Sequence, residues 1–170
     1  MNKMLCLFTF ATAICFADAE QTKAPITKGV AVVHATDGNK VSGVVSFTTV
    51  PGGVRIVADI NNLKAGKHGF HVHEHGDCSA HDASSAGGHF NPTGTKHGGP
   101  GTVERHVGDM GNLEANEQGY AHYDRIDDLI QLDGENSIIG RSVVIHADED
   151  DLTSQPTGNS GARVACGIIN

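Results

Sequence analysis

Hydrophobic and polar residues of this chain tend to alternate in short runs, which is the pattern of half-buried β-strands. Seven segments show it, namely residues 29–35, 41–50, 54–60, 70–73, 119–123, 142–145 and 162–169. Turn-forming residues such as Pro51, Gly52 and Gly53 separate them. No helical period of 3.6 residues continues for more than about two turns. The pattern therefore predicts an all-β domain, an antiparallel barrel or sandwich.

The strand pattern stops between residues 74 and 112, where Gly, His, Ser, Asp and Pro dominate. An irregular segment of this length needs a reason to be ordered in a small domain, and metal ligation or a disulfide is a common one. We expect one long functional loop here and a second between residues 146 and 162.

The N-terminal residues resemble a secretory signal peptide. Lys3 precedes an apolar stretch over residues 5–16, which is too short to span a bilayer comfortably, and Ala17-Asp18-Ala19 fits the small-x-small cleavage rule. We therefore predict a signal peptide over residues 1–19, a flexible leader over 20–27 and the folded domain over 28–170. A short membrane anchor and a lipid anchor on Cys15 remain alternatives.

Cleavage after Ala19 would remove Cys6 and Cys15 and leave Cys78 and Cys166. An even pair of cysteines in an exported protein predicts a disulfide between them, with two buried free thiols as the alternative. Export implies a periplasmic or extracellular location.

The composition adds two constraints. The formal net charge of −8 makes nucleic acids and anionic membranes poor partners, since both repel an acidic surface. The 170 residues include 11 His against 12 Lys and Arg together, and that excess favours transition-metal binding.

The spacing of the histidines supports a metal site. His71 and His73 are two apart in a predicted strand, so their side chains share one face. His89, His97, His106 and Asp109 follow in the Gly-rich loop and form a set suited to tetrahedral Zn²⁺. A solvated His-rich loop is the alternative for these four residues. His146 ends an apolar strand and is either a core residue or a further ligand.

Six segments together resemble the copper/zinc superoxide dismutase family. They are GFHVHE at 69–74, GHFNP at 88–92, KHGGP at 96–100, RHVGD at 105–109, VIH at 144–146 and GARVACG at 161–167. The resemblance covers about residues 28–170 in order, and it implies an eight-stranded antiparallel Greek-key barrel with long metal-binding and electrostatic loops.

The resemblance also implies a ligand set. Copper would be held by His71, His73, His89 and His146, and zinc by His89, His97, His106 and Asp109, with His89 bridging the two ions. Asp150 would hydrogen-bond both His71 and His97, and Arg163 would lie beside the open face of the copper. One Cu and one Zn ion per subunit would be the cofactors.

The implied activity is conversion of superoxide to O₂ and H₂O₂ by cycling of Cu(II) and Cu(I), with His89 and Arg163 as catalytic residues. The family implies a homodimer, with a monomer as the alternative, and a copper-delivery partner of unknown identity. A non-catalytic exported copper and zinc carrier and a structural adhesion sandwich are the competing functions.

The chain departs from the animal enzymes at three places. Cys78 follows His73 by only five residues, as in exported bacterial members. The segment at 152–158 is shorter than the animal electrostatic loop and lacks its Glu and Lys residues, and His75 replaces an interface aromatic. We expect structural or surface roles for the other histidines, His34, His68, His81 and His122 included, with His68 packed beneath the copper strand.

Overall fold

The computed structural model describes residues 24–170, so the predicted signal peptide and residues 20–23 lie outside the described residues. Eight strands form a closed antiparallel barrel in the order β1-β2-β3-β6-β5-β4-β7-β8. They are β1 Lys28–Ala35, β2 Ser42–Val50, β3 Gly53–Asn61, β4 Gly66–His73, β5 Asp109–Ala115, β6 Ala121–Asp127, β7 Ser142–His146 and β8 Arg163–Ile168. The predicted all-β barrel is confirmed.

The alternating sequence pattern sets which residues enter the barrel. In β3, Val54, Ile56, Ala58 and Ile60 are buried, while the residues between them face outward. The β2–β3 turn requires glycine, since Gly53 has φ +145° and a Cβ there would collide with the carbonyl of Asp127.

The apolar core fills the barrel interior. Phe47, Ile56, Phe70 and Leu113 are fully buried there, and the Phe70 and Tyr123 rings meet edge to face with centroids 5.3 Å apart. β4 is central to the functional end, because its last six residues are all buried and it pairs with both β5 and β7.

The structure corrects the prediction at two strands. β5 begins at Asp109, inside the segment expected to be irregular, and its residues Gly111 and Asn112 hide the strand pattern; Gly111 has a left-handed φ of +78°. β6 runs over Ala121–Asp127 rather than 119–123, and its residues His122 and Asp124 face outward, where Asp124 pairs with Arg55. Over residues 24–170, the structure has no helix with the length and apolarity to cross a membrane.

Candidate metal centre

Two strands and one loop bring four histidines together at one end of the barrel. His71 and His73 lie on β4, and His146 ends the adjacent strand β7. The loop residue His89 forms a β-bridge with His73, because the N–H of Phe90 donates to the carbonyl of Val72 and the N–H of Glu74 donates to that of Gly88. These four side chains are buried, and each offers one nitrogen. The four nitrogens all lie within 4.8 Å of one another, which is the spacing of ligands around one ion.

A second group of four residues shares His89 with the first. It consists of His89, His97, His106 and Asp109, all buried and again with ligand atoms within 4.8 Å of one another. Asp109 is its centre: Oδ1 lies 2.7 Å from His89 Nδ1 and 3.2 Å from His106 Nδ1, and Oδ2 lies 3.0 Å from His97 Nδ1. The backbone turn from His106 to Asp109 delivers two of the four.

Three nitrogens in these groups are buried and have no hydrogen-bond partner among the described residues. They are His71 Nδ1, His89 Nε2 and His97 Nδ1. Buried polar atoms are almost always satisfied, so orphaned nitrogens within the two ligand groups fit metal ions that would accept their lone pairs. Four imidazoles suit copper, and three imidazoles with a carboxylate suit zinc.

Asp150 connects the two groups from behind. Its Oδ2 lies 2.8 Å from His71 Nε2 and its Oδ1 lies 2.9 Å from His97 Nε2, and the side chain is fully buried. A carboxylate accepts, so each Nε2 donates its proton, and Nδ1 is the atom through which each ring would bind an ion. Asn112 fixes Asp150 by donating to its carbonyl and accepting from its backbone N–H.

The electrostatics keep the first group ready to bind a cation. Burial, reinforced by neighbouring histidines, lowers the pKa of His89 to about 4 and that of His146 to about 3. These imidazoles are therefore neutral at pH 7. Burial also opposes charge on His97, but the adjacent carboxylates of Asp109 and Asp150 outweigh it and raise the pKa of His97 to about 9.

Arg163, the first residue of β8, lies beside the first group. Its Nη1 donates to the carbonyl of Ala83 at 2.6 Å and its Nη2 donates to that of Gly87 at 2.7 Å. The Gly87 carbonyl also accepts from His73 Nδ1 at 3.0 Å, so one carbonyl orients both side chains. The disulfide between Cys78 and Cys166 ties the segment that supplies these carbonyls to β8.

Comparison with known proteins agrees with this geometry. Residues 41–169 match the family model described as copper/zinc superoxide dismutase. The chain belongs to the copper/zinc superoxide dismutase family. The extracellular superoxide dismutase [Cu-Zn] of Brugia pahangi is 47% identical over 149 residues, which cover 82% of this chain and 74% of that protein.

Two further superoxide dismutases and one solved structure are also similar to this chain. The superoxide dismutase [Cu-Zn] of Onchocerca volvulus is 46% identical, covering 84% of this chain and 95% of that protein. That of Paramecium bursaria Chlorella virus 1 is 46% identical, with coverages of 85% and 80%. The crystal structure of the clock protein EA4 is similar with a TM-score of 0.81 and 41% identity, over 89% of this chain and 98% of that one.

One supporting element of this superoxide dismutase domain was not predicted. The buried Arg105 donates through Nη1 to the carbonyls of His106 and Asp109, and through Nη2 to both oxygens of the buried Asp127 at 2.8 and 2.7 Å. This ion pair fixes the turn that carries two members of the second group. Its only sequence signal is the position of Arg105 directly before His106, since nothing in the pattern links it to the end of β6.

The histidines outside the two groups take structural or surface positions. His68 is buried on β4 itself, and its ring nitrogens lie 2.8 Å from the carbonyl of His146 and 2.7 Å from that of Lys64. His122 contacts Asp59, and His81 contacts Asp37, both on the surface. His34 and His75 are exposed.

Proposed function

We propose that this chain is an exported superoxide dismutase that converts two superoxide anions and two protons into O₂ and H₂O₂. The observation that carries the proposal is the pair of ligand groups sharing His89, which contain unpartnered buried nitrogens and lie next to a fixed arginine. A relative that lacked turnover would not need Arg163 and the shared imidazole together with both ligand groups.

The ligand assignment follows from the two donor sets. His71, His73, His89 and His146 would hold copper, and His89, His97, His106 and Asp109 would hold zinc. Copper supplies one-electron redox chemistry when it is bound, and zinc supplies a fixed divalent charge.

His89 is proposed to move the proton. Its Nδ1 faces the carboxylate of Asp109, while its Nε2 faces His71 and His73 without a partner in the described chain. A proton held at Nε2 lies on the side where substrate would be reduced, so the imidazole can act as a general acid there.

Arg163 is proposed to bind and orient the anion. Its hydrogen bonds to Ala83 and Gly87 use only two of the five guanidinium N–H donors, so others remain to face a substrate. Because the group is half-buried and held by backbone carbonyls, it needs little reorganisation when an anion arrives.

The direct test uses the protein loaded with one copper and one zinc per chain. Pulse radiolysis measures its rate of superoxide loss, and the yield of H₂O₂ is a second measure. We expect catalytic loss of superoxide and one H₂O₂ for every two superoxide anions. Stoichiometric metal binding without turnover would instead support the exported copper and zinc carrier. The chelated protein is the control.

Export is proposed from the signal-like residues 1–19. The disulfide and the relative named extracellular support it. Expression of the full chain in a secreting host should give a mature protein that begins at Glu20, as read by N-terminal sequencing. Retention of residues 1–19 on a membrane-associated product would contradict cleavage.

A homodimer is also proposed. Val30 and Val32 on β1 and Ile168 on the neighbouring β8 are 44%, 52% and 37% exposed, an apolar face that a second copy would cover. Sedimentation equilibrium should give twice the chain mass for the mature protein, and Val32→Lys should shift it toward the monomer. A monomer at all concentrations would contradict the dimer.

A further inference from the structure

The turn that anchors Arg163 also carries an acidic residue whose role the proposed activity leaves open. Asp82 directly precedes Ala83, whose carbonyl accepts from Arg163 Nη1. Its Oδ1 accepts from the backbone N–H of Ser84 at 2.9 Å, at the start of the 3₁₀ turn Ser84–Ala86. The carboxylate is therefore held in place on the exposed side of this turn.

The same turn limits the separation between Asp82 and the guanidinium. Adjacent Cα atoms are about 3.8 Å apart, so a carboxylate one residue from the anchoring carbonyl lies within roughly 10 Å of the charge on Arg163. The two charges act on each other: burial lowers the pKa of Arg163 and the negative charge of Asp82 opposes that shift. Contacts with Ser84 lower the pKa of Asp82, and Arg163 lowers it further.

The positive charge of Arg163 reaches the candidate copper ligands. Arg163 Nη2 and His73 Nδ1 both donate to the carbonyl of Gly87, so the guanidinium lies next to a residue of the first group. An anion approaching these residues meets a site where Arg163 attracts it, Asp82 repels it, and the whole chain carries a formal charge of −8. Screening is weak at low salt, because the Debye length is about 30 Å at 0.01 M.

We infer that Asp82 opposes the capture of anionic substrate at Arg163 and so sets the rate and its salt dependence. This inference rests on the proposed function. Removing the carboxylate makes the anchoring turn less negative by one charge, so the attraction of superoxide to Arg163 increases. Asp82→Asn is suitable, since the amide oxygen can still accept from Ser84.

The matched control is Asp133→Asn. Asp133 is also exposed, and its Oδ1 accepts from the backbone N–H of Gly134 at 3.0 Å. It lies near the β2–β3 turn, with Val50 and Gly53 lining the same cavity, and it has no contact with the turn that anchors Arg163. Both variants change the total charge by one unit, so a difference between their rates shows the effect of where the charge lies.

The experiment measures the bimolecular rate constant with superoxide for wild type and both variants, each loaded with copper and zinc, at ionic strengths of about 0.01 M and 0.15 M. We expect about a twofold higher rate for Asp82→Asn at low salt, a steeper fall with salt, and convergence at high salt. Asp133→Asn should follow wild type. Equal behaviour of the two variants would overturn the inference.

A second measurement separates this inference from the proposed activity. Azide is a small anion, and its affinity for the copper-loaded protein can be followed in the visible spectrum without turnover. Asp82→Asn should bind azide about twofold more tightly than Asp133→Asn at low salt. If wild type lacks dismutation but this difference is found, the proposed function fails, while the opposition of Asp82 to anion binding at Arg163 stands. No difference in azide affinity overturns the inference.

Discussion

The barrel wall and the loop side of this molecule bury different kinds of side chain. The barrel wall, strands β1, β2, β3 and β6, buries hydrocarbon such as Phe47, Ile56 and Ile60. The loop side consists of β4, β5 and β7 with residues 74–108 and 147–162, and it buries His71, Asp109 and Asp150 just as fully. Hydrocarbon packing is complete without a ligand, whereas the loop side contains three buried imidazole nitrogens that lack partners.

This difference shows how one small domain combines a stable scaffold with a reactive site. The wall gains from apolar burial, which does not depend on ions or pH. The loop side depends on carboxylates, an ion pair and a disulfide to hold irregular backbone. It should therefore respond strongly to chelation, reduction and charge changes that leave the wall intact.

Metal removal should cause the largest loss of stability. Dialysis against a chelator should lower stability by on the order of 10 kcal/mol and the melting temperature by about 20 °C or more. Hydrogen exchange measured by mass spectrometry should show lost protection in residues 84–108 and 147–162, with β2 and β3 still protected. Uniform loss of protection would mean that the two regions are one cooperative unit.

Loss of the disulfide should rank next. Cys78 and Cys166 are separated by 88 residues, and the chain-entropy model gives about 4–5 kcal/mol for a loop of that length. Urea unfolding of Cys78→Ser should show this loss, and the double variant with Cys166→Ser should show the same loss, since either change removes the same bond. An unchanged unfolding midpoint would contradict a stabilising disulfide.

A cavity in the barrel wall should separate stability from metal affinity. Ile56→Ala removes three carbons from a fully buried side chain and should cost about 3–4 kcal/mol. Competition with a chromogenic chelator should give unchanged copper and zinc affinities, because Ile56 lies on β3, which pairs with β2 and β6 and not with the strands that carry the ligands. A weakened zinc affinity would show that the wall determines the geometry of the loop side.

Arg163→Ala should affect rate rather than stability. We expect a decrease of about tenfold to a hundredfold in the rate constant with superoxide, at unchanged metal content by elemental analysis. Arg55→Ala is the control, since it removes a guanidinium that pairs with Asp124 on the outer face of the wall. Equal rates for the two variants would exclude a role for Arg163 in capturing the anion.

The same division explains what the sequence could predict. Wall strands follow the period of two, and β3 is recognisable because Arg55, Val57 and Asp59 alternate with buried residues. His71 and His73 are also a local signal. These features depend on neighbours along the chain, which a single sequence records directly.

Features that depend on distant contacts were harder to predict. β5 begins at Asp109 and contains Gly111, so local preference is a poor guide to a strand that is defined by pairing with β4. Asp150 lies in an acidic run that would be solvent-exposed on local grounds, and only the family resemblance indicated its role. The pairing of Arg105 with Asp127 joins a loop to the end of β6, and no local pattern encodes it.

Tyr123 tests the boundary between the two regions and should have the smallest effect. Its ring packs against Phe70 in the core, and its hydroxyl donates to the carbonyl of Met110, the residue after Asp109. Burial raises the pKa of Tyr123 to about 12, against a usual value near 10. The neutral phenol is therefore favoured in the folded state, and this contribution is fully present below pH ~10 and lost as pH rises through ~12.

The stability of Tyr123→Phe should consequently change from lower than that of wild type to higher as pH increases. The variant should be about 1 kcal/mol less stable at pH 8, where it lacks the hydrogen bond to Met110. The free energy of unfolding of wild type should then fall by about 2 kcal/mol more than that of the variant between pH 10 and 12. In this range the phenol of Tyr123 ionises in the unfolded chain and stays neutral in the folded one, and the variant has no phenol at this position. Urea unfolding at each pH measures both, and the exposed Tyr120 titrates equally in the two proteins. A constant difference across this range would show that the hydroxyl of Tyr123 reaches solvent, and that the boundary between wall and loop side is open at Met110.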